Sequence, residues 1–266
     1  MTEIQYADTA AGPLAHVRRG EPGAPPLLLV MGVAGHHRMW GDPFLDRLAQ
    51  RFDVVAFDHR GIGDSHRAEA RFTIGDLAAD CVAVLDHVGW DAAHVCGISM
   101  GGVVAQELAL THPDRVRSLV LGCTFPDPDA WGPAIGKLAD AARSGDPLVA
   151  AQLMFEANVP AAFTEEPGRF EEFATAAGAV KVPGPVVLMQ MQAAAVHDAR
   201  ESLGTVTAPT LVVHGTADEV ILPSAGERLA SLVPGARMQW LEGAGHLFFW
   251  ERPAESAKLV TEHALG

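Results

Sequence analysis

A serine sits between two glycines in Gly97-Ile98-Ser99-Met100-Gly101. The pentad follows the short apolar run Ala92 to Cys96 and leads into Val103 to Leu110, which reads as a helix. A serine hydroxyl at its ordinary pKa is a weak nucleophile and needs help to attack a carbonyl. On a sharp strand-to-helix turn it stands clear of the sheet, and the first amides of the helix favour the negative charge that develops. Such a turn holds the serine in a strained backbone conformation. It also needs glycines two before and two after, because strand and helix approach too closely for side chains there. The pattern predicts nucleophilic acyl chemistry, and it asks for a base and for an acid to orient that base.

In this arrangement the partners follow along the chain in the order serine, acid, histidine. Asp218 ends the turn Gly215-Thr216-Ala217-Asp218, directly after the apolar strand Ala208 to His214. His246 closes Glu242-Gly243-Ala244-Gly245-His246, directly after a strand over Arg237 to Leu241. Both fall at the sheet edge that carries Ser99, where parallel-sheet proteins place their ligands. Asp127 and Asp129, beyond the strand ending near Gly122, are alternative positions for the acid. Asp218 is preferred because its turn follows its strand immediately.

The elements that must position these residues alternate. Residues 3–19 read as a hairpin turning at Ala11-Gly12-Pro13. Leu27 to Met31 is a continuous apolar run between Pro26 and Gly32, as a strand buried on both faces should be. A helix over Trp40 to Gln50, a strand over Asp53 to Phe57 and a helix over Thr73 to Val88 follow, the last opened by a Thr73/Asp76 capping box. Val116 to Leu121 is another buried strand. This order predicts an α/β fold, a mostly parallel sheet with helices on both faces. From Cys123 to Gly204 no strand-like run occurs. Segments at 135–143, 148–158, 170–177 and 186–199 read as helices broken by prolines. Residues 123–204 are therefore expected to form a helical cap inserted into a core made of 1–122 and 205–266. The cap's Met and aromatic residues are expected mostly in its own interior, with a few facing a pocket. A helix from Pro253 to Ala264 closes the chain.

Composition narrows the partners. Among 266 residues, 19 Lys and Arg stand against 33 Asp and Glu, a formal charge of −14, which disfavours nucleic acid and anionic membrane. Cys81, Cys96 and Cys123 are far apart and read as buried free thiols in a reducing compartment. Met1 to Asp8 shows no basic or apolar leader, and the expected location is cytoplasmic. No histidine spacing of metal-site type and no glycine-rich nucleotide loop is present, so neither metal nor cofactor is expected.

Taken together, several stretches resemble the α/β-hydrolase superfamily over nearly the whole chain. They are Leu28-Leu29-Val30-Met31-Gly32, Phe57 to Ser65, Gly97 to Gly102, His112 to Val116, Val213 to Asp218 and Gly245-His246. The nearest likeness is to small bacterial esterases and lactonases, including the haloperoxidase-like group, enol-lactonases and polyketide methylesterases. The resemblance implies an eight-stranded sheet and a Ser99-Asp218-His246 triad, with an oxyanion hole from the amides of Val33 and Met100. It implies an ester or lactone substrate, no cofactor, and a monomer or homodimer. Met31-Gly32 departs from the family's usual His-Gly, which removes a histidine that normally helps fix the loop. His36 and His37 are expected to be solvated, and His59 to be architectural. Trp40, Trp131, Leu222, Leu247 and Phe248 are candidate apolar walls for the substrate. Rival readings are a C–C bond hydrolase or a cofactor-free lyase or cyclase on the same site, or a ligand receptor that has kept the fold.

Overall fold

The computed structural model describes residues 3–266. Met1 and Thr2, the first residues of the segment read for a leader, lie outside the described residues. Strands β1 (Gln5–Thr9) and β2 (Gly12–Arg19) form the expected hairpin. β3 (Pro26–Val30), α1 (Asp42–Ala49), β4 (Asp53–Phe57), α2 (Ile74–His87), β5 (Ala93–Ile98), α3 (Met100–Thr111) and β6 (Val116–Gly122) follow. Five helices then intervene: α4 (Ile135–Arg143), α5 (Pro147–Asn158), α6 (Ala161–Thr164), α7 (Arg169–Gly178) and α8 (Gly184–Ala195). β7 (Thr210–Gly215), α9 (Pro223–Leu232), β8 (Arg237–Leu241), α10 (Phe248–Glu251) and α11 (Pro253–Leu265) complete the chain.

The eight strands form one sheet in the order β1-β2-β4-β3-β5-β6-β7-β8. β2 pairs antiparallel with β1 and β4, and every other pairing is parallel. Alternation along each strand divides the core in two. Leu28, Val30, Val55 and Phe57 face α2, α3 and α9. Leu27, Leu29, Val54 and Ala56 face α1 and α11. Both faces are covered, so the central strands carry no polar alternation. The capping box at α2 forms as read, with Thr73 accepting from the Asp76 amide and Asp76 accepting from the Thr73 amide.

Two sequence expectations shift. The helix expected over 186–199 is α8, which ends at Ala195, and a turn through Ala199 replaces its last segment. The short helices α6 and α10 were not anticipated, because four residues carry too little periodicity to be read.

β3, β5 and α3 approach one another too closely for side chains at the glycines between them. A methyl group on Gly101 would overlap the carbonyl oxygens of Val30 and Met31, and one on Gly97 would overlap the Gly101 carbonyl. Gly101→Ala is therefore expected to destabilise by about 1–3 kcal/mol or more through forced backbone shifts. Gly136→Ala, in open space on α4, should instead be neutral or stabilise by up to about 1 kcal/mol. Chemical denaturation of the two variants beside the parent checks the contrast.

Candidate active site

Ser99 joins β5 to α3 at φ 56° and ψ −124°, a left-handed geometry that a non-glycine residue rarely adopts. Bonds on both sides fix it. The Ser99 amide donates to Gly122 O at 2.9 Å, and the Thr124 hydroxyl donates to Ser99 O at 2.6 Å. The sequence places Ser99 on this turn, and the structure puts it at the N-terminus of α3, 8% exposed.

Asp218 follows β7 and is buried. A buried carboxylate must be satisfied by donors, and this one has four. Its Oδ1 accepts from the amides of Val220 at 2.8 Å and Ile221 at 3.0 Å. Its Oδ2 faces His246 Nδ1 at 2.7 Å and His214 Nε2 at 3.3 Å. Burial alone would push this carboxyl up. The neighbouring His246 and the side-chain hydrogen bonds from His214 and His246 outweigh it, and hold Asp218 well below the usual carboxylate range. His214 also lies 3.0 Å from Ile221 O, a carbonyl that can only accept, so its Nε2 carries the proton. In a neutral His246, the same logic puts the proton on Nδ1 and leaves Nε2 with its lone pair.

The alternative acids go elsewhere. Asp127 takes Arg228 at 2.9 and 3.2 Å and caps the Asp129 amide at 2.9 Å. Asp218 is the carboxylate that meets His246.

Ser99 and His246 line one cavity of about 790 Å3, although no hydrogen bond joins the two side chains in this structure. Its floor is the loop after β3, including Val33, and its far walls come from α4, α5, α7 and α8. Leu247 and Val33 line it. Met100 is the first residue of α3, and among the described residues no turn or cap bond takes its amide or that of Val33.

Four expected wall residues lie outside this lining. Trp40 is fully buried against Phe44 and Phe249, with ring centroids 5.8 and 5.1 Å away. Trp131 pairs with Ile221 in a β-bridge and packs on Phe125. Leu222 is exposed, and Phe248 is buried against the backbone at Gly122. The apolar wall is instead built by residues such as Met39, Ile98, Leu138, Met154, Phe173 and Val187.

The histidines near the loop also depart from expectation. His36 and His37 are buried, not solvated. Asp58 Oδ1 accepts from the His37 amide at 2.7 Å and lies 2.9 Å from His37 Nδ1. His36 lines the cavity, and burial pushes its imidazole down to about 4. His59 is architectural as read: its Nε2 donates to Met31 O at 2.9 Å. It fixes the loop that lacks the usual histidine.

Cys123 is a residue that sequence reading left as an ordinary thiol. It follows β6 at φ 43°, fully buried. Its sulfur and ligand atoms of Asp218 and His246 lie within 4.8 Å of one another. Burial and the Asp218 charge push this thiol well above its usual value, so it stays protonated. Asp218 and His246 are bonded to each other, so the trio is poorly suited to share a metal ion.

The sequence model described as alpha/beta hydrolase fold matches residues 25–253. RutD of Azorhizobium caulinodans, whose name is that of a carbamate hydrolase, is 31% identical over 233 residues, covering 84% of each chain. Rhodomycin D methylesterase DnrP of Streptomyces peucetius is 31% identical over 267 residues, covering 85% of this chain and 86% of its own. The crystal structure of an enol-lactonase from Burkholderia xenovorans superposes with a TM-score of 0.87 at 27% identity, covering 98% of this chain and 100% of that one. The chain belongs to the α/β-hydrolase fold family, and the relatives just named carry the names of a carbamate hydrolase, a methylesterase and an enol-lactonase.

Glu251 on α10 holds the loop that carries His246, accepting from the Gly245 amide at 3.0 Å. Burial raises its carboxyl from 4.5 to about 7, against the opposing pull of the Gly245 amide. The fold favours the neutral form. That contribution is complete below pH 4.5 and disappears as pH rises to about 7. Glu251→Gln keeps an oxygen for Gly245 but cannot ionise. Thermal melts from pH 4 to 8 should show its Tm advantage over the parent growing across that window and then levelling.

Proposed function

We propose that this chain is a serine hydrolase that cleaves a carboxylic ester or lactone through an acyl-enzyme. The observation that carries the reading is the 2.7 Å bond between Asp218 and His246 at the cavity that Ser99 enters on its strained turn. The Ser99 hydroxyl attacks the carbonyl carbon while His246 Nε2 takes its proton. The oxygen that becomes negative is met by the amides of Val33 and Met100. His246 returns the proton to the leaving alkoxide, and the C–O bond breaks. A water deprotonated by His246 then attacks the acyl carbon, releasing the acid and restoring the serine. Asp218 stays ionised throughout, fixing the imidazole and stabilising its cationic form.

Residues 123–204 act as a cap over the site in this reading. Their helices supply the cavity's apolar walls, which suits a substrate with a substantial hydrocarbon or aryl portion. The related methylesterase and the similar enol-lactonase support acyl–oxygen cleavage as the reaction. Among the described residues no helix is long and apolar enough to cross a membrane.

A panel of p-nitrophenyl esters and lactones tests the proposal. Ser99→Ala should lower kcat by roughly 10^4 to 10^6, and Asp218→Asn by about 10^4 while Ser99 remains in place. A slow ester or a fluorophosphonate should add one acyl or phosphonyl mass to Ser99 in the parent and none in Ser99→Ala. Undiminished hydrolysis by Ser99→Ala would overturn the assignment.

A further inference from the structure

The loop after β3 carries one of the two proposed oxyanion donors, and it contains a strained residue. Ala34, the residue after Val33, sits at φ 61°, in the left-handed region that glycine tolerates and alanine resists. Such a residue persists only where its surroundings over-determine it. The ends of the loop are fixed by the core. His59 Nε2 donates to Met31 O, and Asp58 holds both the amide and the ring of His37. The Gly35 amide closes a turn on Gly32 O at 3.2 Å.

The middle of the loop is held from outside the core. The Ala34 amide donates to Gln190 Oε1 at 2.9 Å, across 156 residues of chain. Gln190 lies on α8, inside the run Val187-Leu188-Met189-Gln190-Met191, and is fully buried. Because Ala34 N–H can only donate, the side-chain oxygen must face it, and the amide orientation follows. The other half of that amide, Nε2, is buried without a partner among the described residues. A buried amide only half satisfied is a poor stabiliser where an apolar residue of similar size would fit. Its use is the bond to Ala34. Val187, three positions earlier on the same helix, lines the cavity, so one helix touches both the substrate space and the loop.

We propose that Gln190 is a positioning residue: it holds Ala34 in its left-handed conformation, so that the Val33 amide faces the oxyanion only while α8 is seated on the core. The proposal rests on the serine-hydrolase reading above for its catalytic consequence, but not for the bond itself. An interaction that shapes an oxyanion donor acts on the transition state more than on bound substrate. Its loss therefore falls on kcat rather than KM.

Gln190→Leu keeps the size and removes the acceptor. Gln190→Glu keeps an oxygen to accept. Amide hydrogen exchange of Ala34, read by NMR, gives the hold directly. Exchange should be slow in the parent and in Gln190→Glu, and at least tenfold faster in Gln190→Leu at matched global stability. Unchanged exchange in Gln190→Leu overturns the proposal. With a p-nitrophenyl ester, Gln190→Leu should lower kcat about tenfold to a hundredfold and leave KM within about threefold. The ratio of affinities for a trifluoromethyl ketone and its methyl ketone analogue should fall with kcat, since only the former captures Ser99 as an oxyanion. Faster exchange with kcat and that ratio unchanged overturns the catalytic role of the bond. A parent without Ser99-dependent turnover would instead sink the hydrolase reading, and exchange at Ala34 would still decide whether Gln190 holds the loop.

Discussion

The contact on which the site depends is backbone against backbone. The α-carbon of Gly101 rests where the carbonyl oxygens of Val30 and Met31 leave no space for a methyl group. Gly97 meets Gly101 just as closely from the neighbouring strand. Helix α3 can thus start immediately after β5, and Ser99 has no room to turn except through the left-handed region. The strain at that residue is offset by what the contact secures: the Ser99 amide on Gly122, the Thr124 hydroxyl on its carbonyl, and a helix N-terminus directly behind its side chain. A serine on a longer turn would keep its chemistry and lose its address. The same closeness brings the loop after β3 alongside, since Gly32 lies against the Ser99 side chain.

The second constraint is electrostatic. Asp218 is an anion with almost no access to water, and an isolated buried carboxylate would simply take a proton. Two backbone amides and two imidazoles prevent that. The direction of the His246 ring is then a consequence of satisfying Asp218, while Glu251 holds the loop behind it. The same charge has a cost nearby. It adds to the burial that keeps the Cys123 thiol protonated and to the burial that raises Glu251. Around Asp218, neutral and proton-donating groups are tolerated and further anions are not.

These constraints explain which parts could be read from the chain. Strands buried on both faces must be apolar without interruption, and they show themselves as Leu27 to Met31 or Thr210 to Val213. Residues at strand ends are placed by the sheet itself, so Ser99, Asp218 and His246 could be assigned to one edge before any geometry was known. The facing of a side chain within a helix or loop is a tertiary matter. Trp40 is close in sequence to the loop after β3, yet it turns inward onto Phe44 and Phe249. Trp131, Leu222 and Phe248 follow strand ends too, but they pack on or away from the core. His36 and His37 look like loop residues in solvent, and it is Asp58, 21 positions from His37, that holds His37 inside, while the His36 ring meets Ala177 O on α7. Gln190 did leave a trace, an amide inside an apolar helical run, but no periodicity says what such an amide will meet. His214 gave a similar hint, a histidine at the end of a buried strand.

The intervening helices are attached to the core at two informative places. The Ala34 amide is held by Gln190 on α8, and the Leu247 amide donates to Asn158 O at the end of α5, at 3.0 Å. One tether reaches the loop beside Val33, and the other reaches the residue that follows His246. The core supplies Ser99, Asp218 and His246, and the helices with their connecting turns supply most of the cavity wall. A wall that merely enclosed substrate could rest on apolar contacts alone, which slide without large penalty. Directional hydrogen bonds to those two loops do not slide. A displacement of α5 or α8 that widens the cavity therefore strains a bond beside His246 or beside the loop after β3, so the wall and those two loops are mechanically coupled.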